Sequence, residues 1–213
     1  MDKRLWSETK AGFGHCFYTM FHPVNGFDQI KWEKKGSVAT GVAILLAFFL
    51  TNVFEQVLTG FIFNTYNPDR ISVPSIFLIT MGGFAIAYVA NWAAGSLMFS
   101  EGENRDIFLT LCYTLVPYTA FALLHIFLTN FANAEINAFL IALRVVGYLW
   151  SGLILLVGMY YVHQFSFGRL LVNLALTVIG IAIILFLLLL GYSLVQQIAT
   201  FVVTIYNEIV FRL

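Results

Sequence analysis

Three ionisable residues, Glu55, His125 and Arg144, lie inside long apolar stretches of this 213-residue chain. A carboxylate and a guanidinium can form an ion pair, and an imidazole exchanges a proton near neutral pH. In an apolar setting each is costly unless it pairs or serves a function. Thr51, Glu55 and Thr59 share one helical face with Asn52 and Gln56 beside them, and Thr110, Thr114, Tyr118 and His125 share another. Glu55 and Arg144 are expected to pair, with His125 close by. Such a cluster serves either to fix helix register or to line a polar cavity for an ion, a proton or a lipid headgroup. Pro117, in the stretch that carries His125, removes a backbone donor, frees the carbonyl of Tyr113 and predicts a kink.

Other chemistry finds little support. The chain has no Gly-x-Ser-x-Gly, His-Glu-x-x-His, Gly-x-x-x-x-Gly-Lys or Cys-x-x-Cys motif, so no catalytic residue and no cofactor is expected. His15, Cys16 and His22 lack a fourth ligand for zinc, and no metal is expected. Cys16 and Cys112 are too few and too differently placed in the sequence for a disulfide framework. The link Glu101, Gly102, Glu103, Asn104, Arg105, Asp106 has too few paired carboxylates for a calcium loop and reads as a solvated turn offering a docking surface.

The elements that must position these groups follow from hydropathy. The chain is 60% hydrophobic and only 10% charged, against roughly 25% charged in soluble domains, and its mean hydropathy is +0.86. Five apolar runs, 38–64, 74–99, 107–131, 136–162 and 170–190, each exceed the roughly 20 residues needed to cross a bilayer. Short polar links make neighbouring runs antiparallel. The expectation is an all-α, polytopic helical membrane bundle of five transmembrane helices in one domain, residues 36–190. A formal net charge of zero gives no field for nucleic acid, and none is expected as a partner. Small residues, Gly82, Gly83, Gly95, Ser96, Gly147, Ser151, Gly152, Gly158 and Gly180, mark expected close approaches between spans. Asn91 is expected to bond across helices.

Residues 1–35 hold six of the eleven basic residues together with Trp6 and Trp32. Leu5, Thr9, Phe13, Phe17 and Phe21 recur every four residues, so this segment reads as an interfacial helix weakened by Gly12 and Gly14, ending in a turn over His22–Gly26. No cleaved signal peptide is read at the start. Adding Arg105 and Arg169 puts eight basic residues on the amino-terminal side, against Arg70 and Arg212 on the other. By the positive-inside rule the amino terminus is cytoplasmic and the carboxyl terminus outside. On that topology Glu55, His125 and Arg144 lie roughly 9 to 14 Å below the outer boundary. Residues 191–213 read as an external amphipathic helix, preferred over a sixth crossing, with Leu194, Ile198, Phe201, Ile205 and Ile209 on one face.

Several stretches together resemble the Yip (Ypt/Rab-interacting protein) family in its short bacterial form. They are Phe21-His22-Pro23, Gly26-Phe27 and Ile30-Lys31 through Lys35-Gly36-Ser37; Cys112-Tyr113-Thr114-Leu115-Val116-Pro117; and His163-Gln164-Phe165-Ser166. The resemblance implies five spans, a cytoplasmic amino terminus and a short external carboxyl end in a bacterial plasma membrane. Eukaryotic relatives act in vesicle traffic with prenylated small GTPases. This chain lacks their long amino-terminal tail, and bacterial members look like accessories to other membrane complexes, sugar importers among them.

The expected function is therefore a non-enzymatic scaffold or accessory subunit, with membrane lipids and other membrane proteins as partners, a transporter complex among them, and a homo-oligomer as a further candidate. The rival is a small transporter or lipid-handling protein that works through the cavity of Glu55, His125 and Arg144.

Overall fold

The computed structural model describes residues 3–64, 66 and 71–212; the side chains of residues 3–10, 209 and 212 are not described. The interfacial stripe residues Leu5 and Thr9, together with Trp6, Ile209 and the basic residues Lys3, Arg4, Lys10, Arg70 and Arg212, therefore lie outside the described side chains.

Among the described residues every regular element is helical. The order is α1 (Lys3–Phe21), α2 (Pro23–Trp32), α3 (Val38–Leu58), α4 (Val73–Leu97), α5 (Asn104–Thr129), a 3-10 turn (Ala134–Ile136), α6 (Asn137–His163) and α7 (Phe167–Arg212). Helices α3 to α7 are the five that are long and apolar enough to cross a membrane. In lipid the helix is the one open-ended form that satisfies every backbone donor and acceptor within its own segment. Helix α5 is the centre, packed between α3 and α6, while α7 packs chiefly on α4.

The boundaries depart from hydropathy at three places. Helix α3 ends at Leu58, six residues short of the apolar run, because Thr59 turns extended and Gly60 docks on the end of α5. A Cβ on Gly60 would lie 2.2 Å from the Thr129 carbonyl oxygen. The Gly60 N–H donates to Thr129 Oγ1 at 3.1 Å, and Asn130 Nδ2 donates to the Leu58 carbonyl at 2.9 Å. At the amino-terminal end, the expected turn over His22–Gly26 is a single residue, His22. Pro23 opens α2, fitting the first helical turn while disfavouring helix in the residue before it. Gly26 serves contact rather than turning: a Cβ there would meet Thr19 Oγ1 at 2.4 Å. At the carboxyl end Gly191 makes no break, and residues 191–212 continue α7 as one 46-residue helix.

The core gathers at the amino-terminal end of the bundle. Cys16 of α1, Phe27 and Ile30 of α2, Ile44 of α3, Leu109, Cys112 and Tyr113 of α5 and Ile154 of α6 form one buried cluster, with both cysteines as free thiols. The apolar stripe of α1 faces outward at Phe13, Phe17 and Phe21. Gly12 continues that helix and brings it against Thr40 of α3. The small residues of the spans divide in the same way. Gly95, Gly147, Gly158 and Gly180 stand at contacts with other segments, whereas Gly82, Gly83 and Gly152 have nothing within 4 Å of a built Cβ. Those three are not approach points, and Gly152 lines a cleft instead.

Candidate functional site

Glu55 sits one turn before the end of α3, and Arg144 lies about 10 Å, seven residues, into α6. The early end of α3 therefore places Glu55 about 4 to 5 Å from the helix end, nearer the boundary than the run length suggests. Arg144 Nη2 pairs with Glu55 Oε1. The second carboxylate oxygen, Oε2, accepts the Tyr118 hydroxyl at 3.3 Å. Glu55 is buried and Arg144 about a third exposed, so the carboxylate end is the shielded one. Tyr148, one turn after Arg144, lays its ring 5.2 Å from that of Tyr118 and closes the group.

His125 is buried within electrostatic reach of both Glu55 and Arg144, but the pair closes without it. The neighbouring polar side chains of α3 turn back to their own helix. Asn52 Nδ2 donates to the Phe48 carbonyl at 2.8 Å, Thr51 Oγ1 to that of Ala47 at 2.9 Å, and Thr59 Oγ1 to that of Glu55. Gln56 contributes its backbone carbonyl, which takes Asn64 Nδ2 at 3.1 Å. These are local bonds of the kind Ser, Thr and Asn make to the preceding turn.

Helix α5 runs unbroken through Pro117. Its next N–H, that of Tyr118, donates across to Ser151 Oγ of α6 at 3.0 Å. Ser151 is thus a cross-helix acceptor as well as a small residue, and it fixes the backbone from which Tyr118 reaches Glu55. Below the ion pair lies a mainly apolar cleft of about 350 Å³, lined by residues such as Phe48, Tyr118, Tyr148, Ser151 and Leu155. A closed ion pair at the mouth of an apolar cleft can clamp three helices or hold an amphiphile.

A second polar group, at the other end of the bundle, is larger than the sequence suggests. His163, the last residue of α6, brings Nε2 to 3.0 Å from Asn91 Oδ1 of α4 and Nδ1 to 2.5 Å from Ser100 Oγ. Asn91 Nδ2 donates to Asn173 Oδ1 and Thr177 Oγ1 of α7, each at 3.2 Å. Phe165 stacks on the His163 ring at 5.2 Å, and Gly95 and Gly102 leave room for it. The cross-helix bonding expected of Asn91 is present. His163 opens a polar link in the sequence, yet it is fully buried.

The acidic link is solvated at Glu101, Glu103 and Asn104, as expected, but not at its last residue. Asp106 is fully buried and holds both Lys34 Nζ, at 2.9 Å, and Arg105 Nη1, at 3.2 Å. Lys34 also reaches Glu103 at 2.8 Å, and Lys31, itself buried, donates to the Glu101 carbonyl. Arg105 donates on to the Lys34 and Gly36 carbonyls at 2.8 and 2.5 Å. The link is therefore a largely exposed turn whose buried end, Asp106, ties the start of α5 to the loop after α2, while Lys31 of α2 holds the Glu101 carbonyl. Of the residues weighed for a metal, Cys16 is in the core and His22 stacks on Tyr18 at 4.9 Å. Among the described residues no three His, Cys, Asp or Glu side chains converge.

No curated protein and no solved structure matches the chain. The Yip1 domain matches residues 17–190, from the middle of α1 to within α7. That span includes α2, the Tyr113–Pro117 stretch of α5 and the His163 network, so both polar groups lie within the matched residues. The chain belongs to the Yip1-domain family of membrane proteins.

Proposed function

We propose that this chain is a non-enzymatic membrane scaffold or accessory subunit that recruits another membrane protein along the free part of α7. One observation carries the reading. At about 1.5 Å per residue, the 46 residues of α7 extend about 69 Å. A bilayer with its headgroups is about 40–45 Å thick. Even at a tilt of about 40° the helix would rise about 53 Å, so its end stands clear of the membrane. The side chains there include Leu194, Val195, Ile198, Phe201, Val202 and Ile205, all exposed. Water would not leave such a helix uncovered, and a partner supplies the cover. The amino terminus is cytoplasmic in this reading, which the weight of lysine and arginine at that end supports.

Isolation in lipid nanodiscs under mild conditions tests it. The full chain should carry a stoichiometric partner that the doubly substituted Ile198→Asn, Ile205→Asn chain loses while keeping its bundle. A chain that isolates alone and monomeric overturns the proposal.

A second reading, lipid handling or transport, is favoured by the apolar cleft beside Glu55 and Arg144. Reconstituted vesicles should then show a flux of ions or lipid that Glu55→Gln alters; flux that is absent or unaltered removes this reading.

A further inference from the structure

A cleft of about 1130 Å³ opens at the amino-terminal end of the bundle, away from the Glu55–Arg144 pair. Gly12, Gly14, His15 and Tyr18 of α1 form one wall, and the loop from Lys34 to Ser37 leading into α3 forms the other. Lys34, Lys35 and Arg105 line it, and no carboxylate does among the described residues. Their acidic partners sit elsewhere. Asp106 lies buried behind Lys34 and Arg105 and holds both in place, while Glu33 and Glu103 are exposed partners on the rim. Exposed pairs of that kind are held loosely and yield to a better anion.

Two further observations give the cleft a direction. Val38 and Ala39, the first residues of α3, line it, so the positive end of that helix, where Ser37 Oγ accepts the Ala39 N–H, faces the same space as the three cations. The loop is curled by Gly36, whose φ of +90° and whose contact with Tyr113 Oη both exclude a side chain. The level of the cleft follows from the chain: the first span begins at Val38, Trp32 is exposed just before it, and Phe13 and Phe17 of α1 face outward beside it. Exposed Trp next to a span start marks the headgroup layer. The volume slightly exceeds the roughly 300–1,000 Å³ of small-molecule sites, enough for a phosphate, its glycerol and the first acyl carbons.

We propose that this cleft binds an anionic phospholipid, its phosphate held by Lys34, Lys35, Arg105 and the start of α3, and its chains lying along the outward phenylalanines of α1. The site is independent of the docking role of α7.

Gly14 provides a clean test, because nothing lies within 4 Å of a Cβ built there. Gly14→Leu would add bulk to the α1 wall of the cleft with no clash at its Cβ and favour the helix. The full chain is placed in nanodiscs of phosphatidylcholine with a minor fraction of phosphatidylglycerol, and the lipids retained on gentle release are counted by native mass spectrometry. The wild-type chain should retain one phosphatidylglycerol in preference to phosphatidylcholine. Lys35→Gln should weaken that preference about fivefold, the effect of one juxtamembrane charge, and Gly14→Leu should abolish it, with the thermal midpoint of neither variant lowered. Equal retention of the two lipids, or a preference that survives Gly14→Leu in a folded chain, overturns the proposal. Displacement of the lipid by millimolar inorganic phosphate, with no difference among lipids, would assign the site to free phosphate instead and overturn the lipid assignment.

Discussion

His163 and Asn91 meet across two spans, Nε2 to Oδ1 at 3.0 Å, and through Asn91 the histidine is joined to Asn173 and Thr177 of a third. Asn91 is the hub, and its loss leaves several buried polar atoms unpaired at once. Asn91→Ala should destabilise the bundle by about 2 kcal/mol, within the 1–3 kcal/mol usual for a stranded buried polar group. A cycle with Asn173→Ala, followed by unfolding in mixed micelles, should show coupling of about 0.6–1.7 kcal/mol. Additive single effects would mean that the two amides do not act together.

The Glu55–Arg144 pair should be worth keeping whole rather than worth having. Glu55→Gln alone should cost about 3 kcal/mol, the low end for a broken buried pair, since Arg144 keeps some exposure. Replacing both by methionine should recover most of that loss. If the double variant is as unstable as Glu55→Gln, the pair does more than balance its own charges.

The thiol of Cys16 is pushed up to about 12 by burial, so almost no thiolate exists at neutral pH. Maleimide at pH 7.5 should leave the folded chain unmodified for hours and label it within minutes after unfolding. Rapid labelling of the native protein would place α1 off the bundle.

His15 predicts a dependence on acid. Burial, aided by Lys35 and opposed by Glu33, lowers its pKa below the ordinary 6.5, and Tyr113 lies beside it with ring centroids 6.0 Å apart. A base with a lowered folded value is held neutral. Its contribution to stability is full above pH 6.5 and falls as the pH drops below that value, because the unfolded chain takes up the proton first. Glu103 is held below its ordinary range chiefly by its hydrogen bond to Lys34, and its contribution is lost only at more acid pH. Thermal midpoints between pH 7 and 5 should therefore fall for the wild type and fall less for His15→Gln; equal slopes would exclude the histidine as the source.

Two glycines that look alike in sequence should behave oppositely. Gly60→Ala drives a Cβ into the Thr129 backbone and should cost about 1–3 kcal/mol, whereas Gly82→Ala meets open space and should change stability by less than about 1 kcal/mol. Unfolding midpoints of the two variants would separate them.

Hydropathy alone gives the number of spans, because a bilayer leaves an apolar run of this length almost no other form. Charge scarcity does the same for Glu55 and Arg144: few buried groups exist for either to meet. The misreadings share one cause. Phe61, Ile62 and Phe63 prolong the apolar run past Leu58, and only the fit of Gly60 against α5 ends the helix there. His163 and Asp106 stand in polar links, where composition predicts solvent, yet both are drawn inside by partners remote in sequence. Tertiary contacts of that kind leave no periodic trace.

The unequal support of α7 makes it a lever. It is gripped near Asn173 and Thr177, and beyond Leu185 its described side chains are exposed apart from Gly191. From the grip to the tip is about 50 Å of rod, so a tilt of about 10° at the grip swings the tip by about 9 Å. Small rearrangements around His163 would be read out, enlarged, at the free end of the helix.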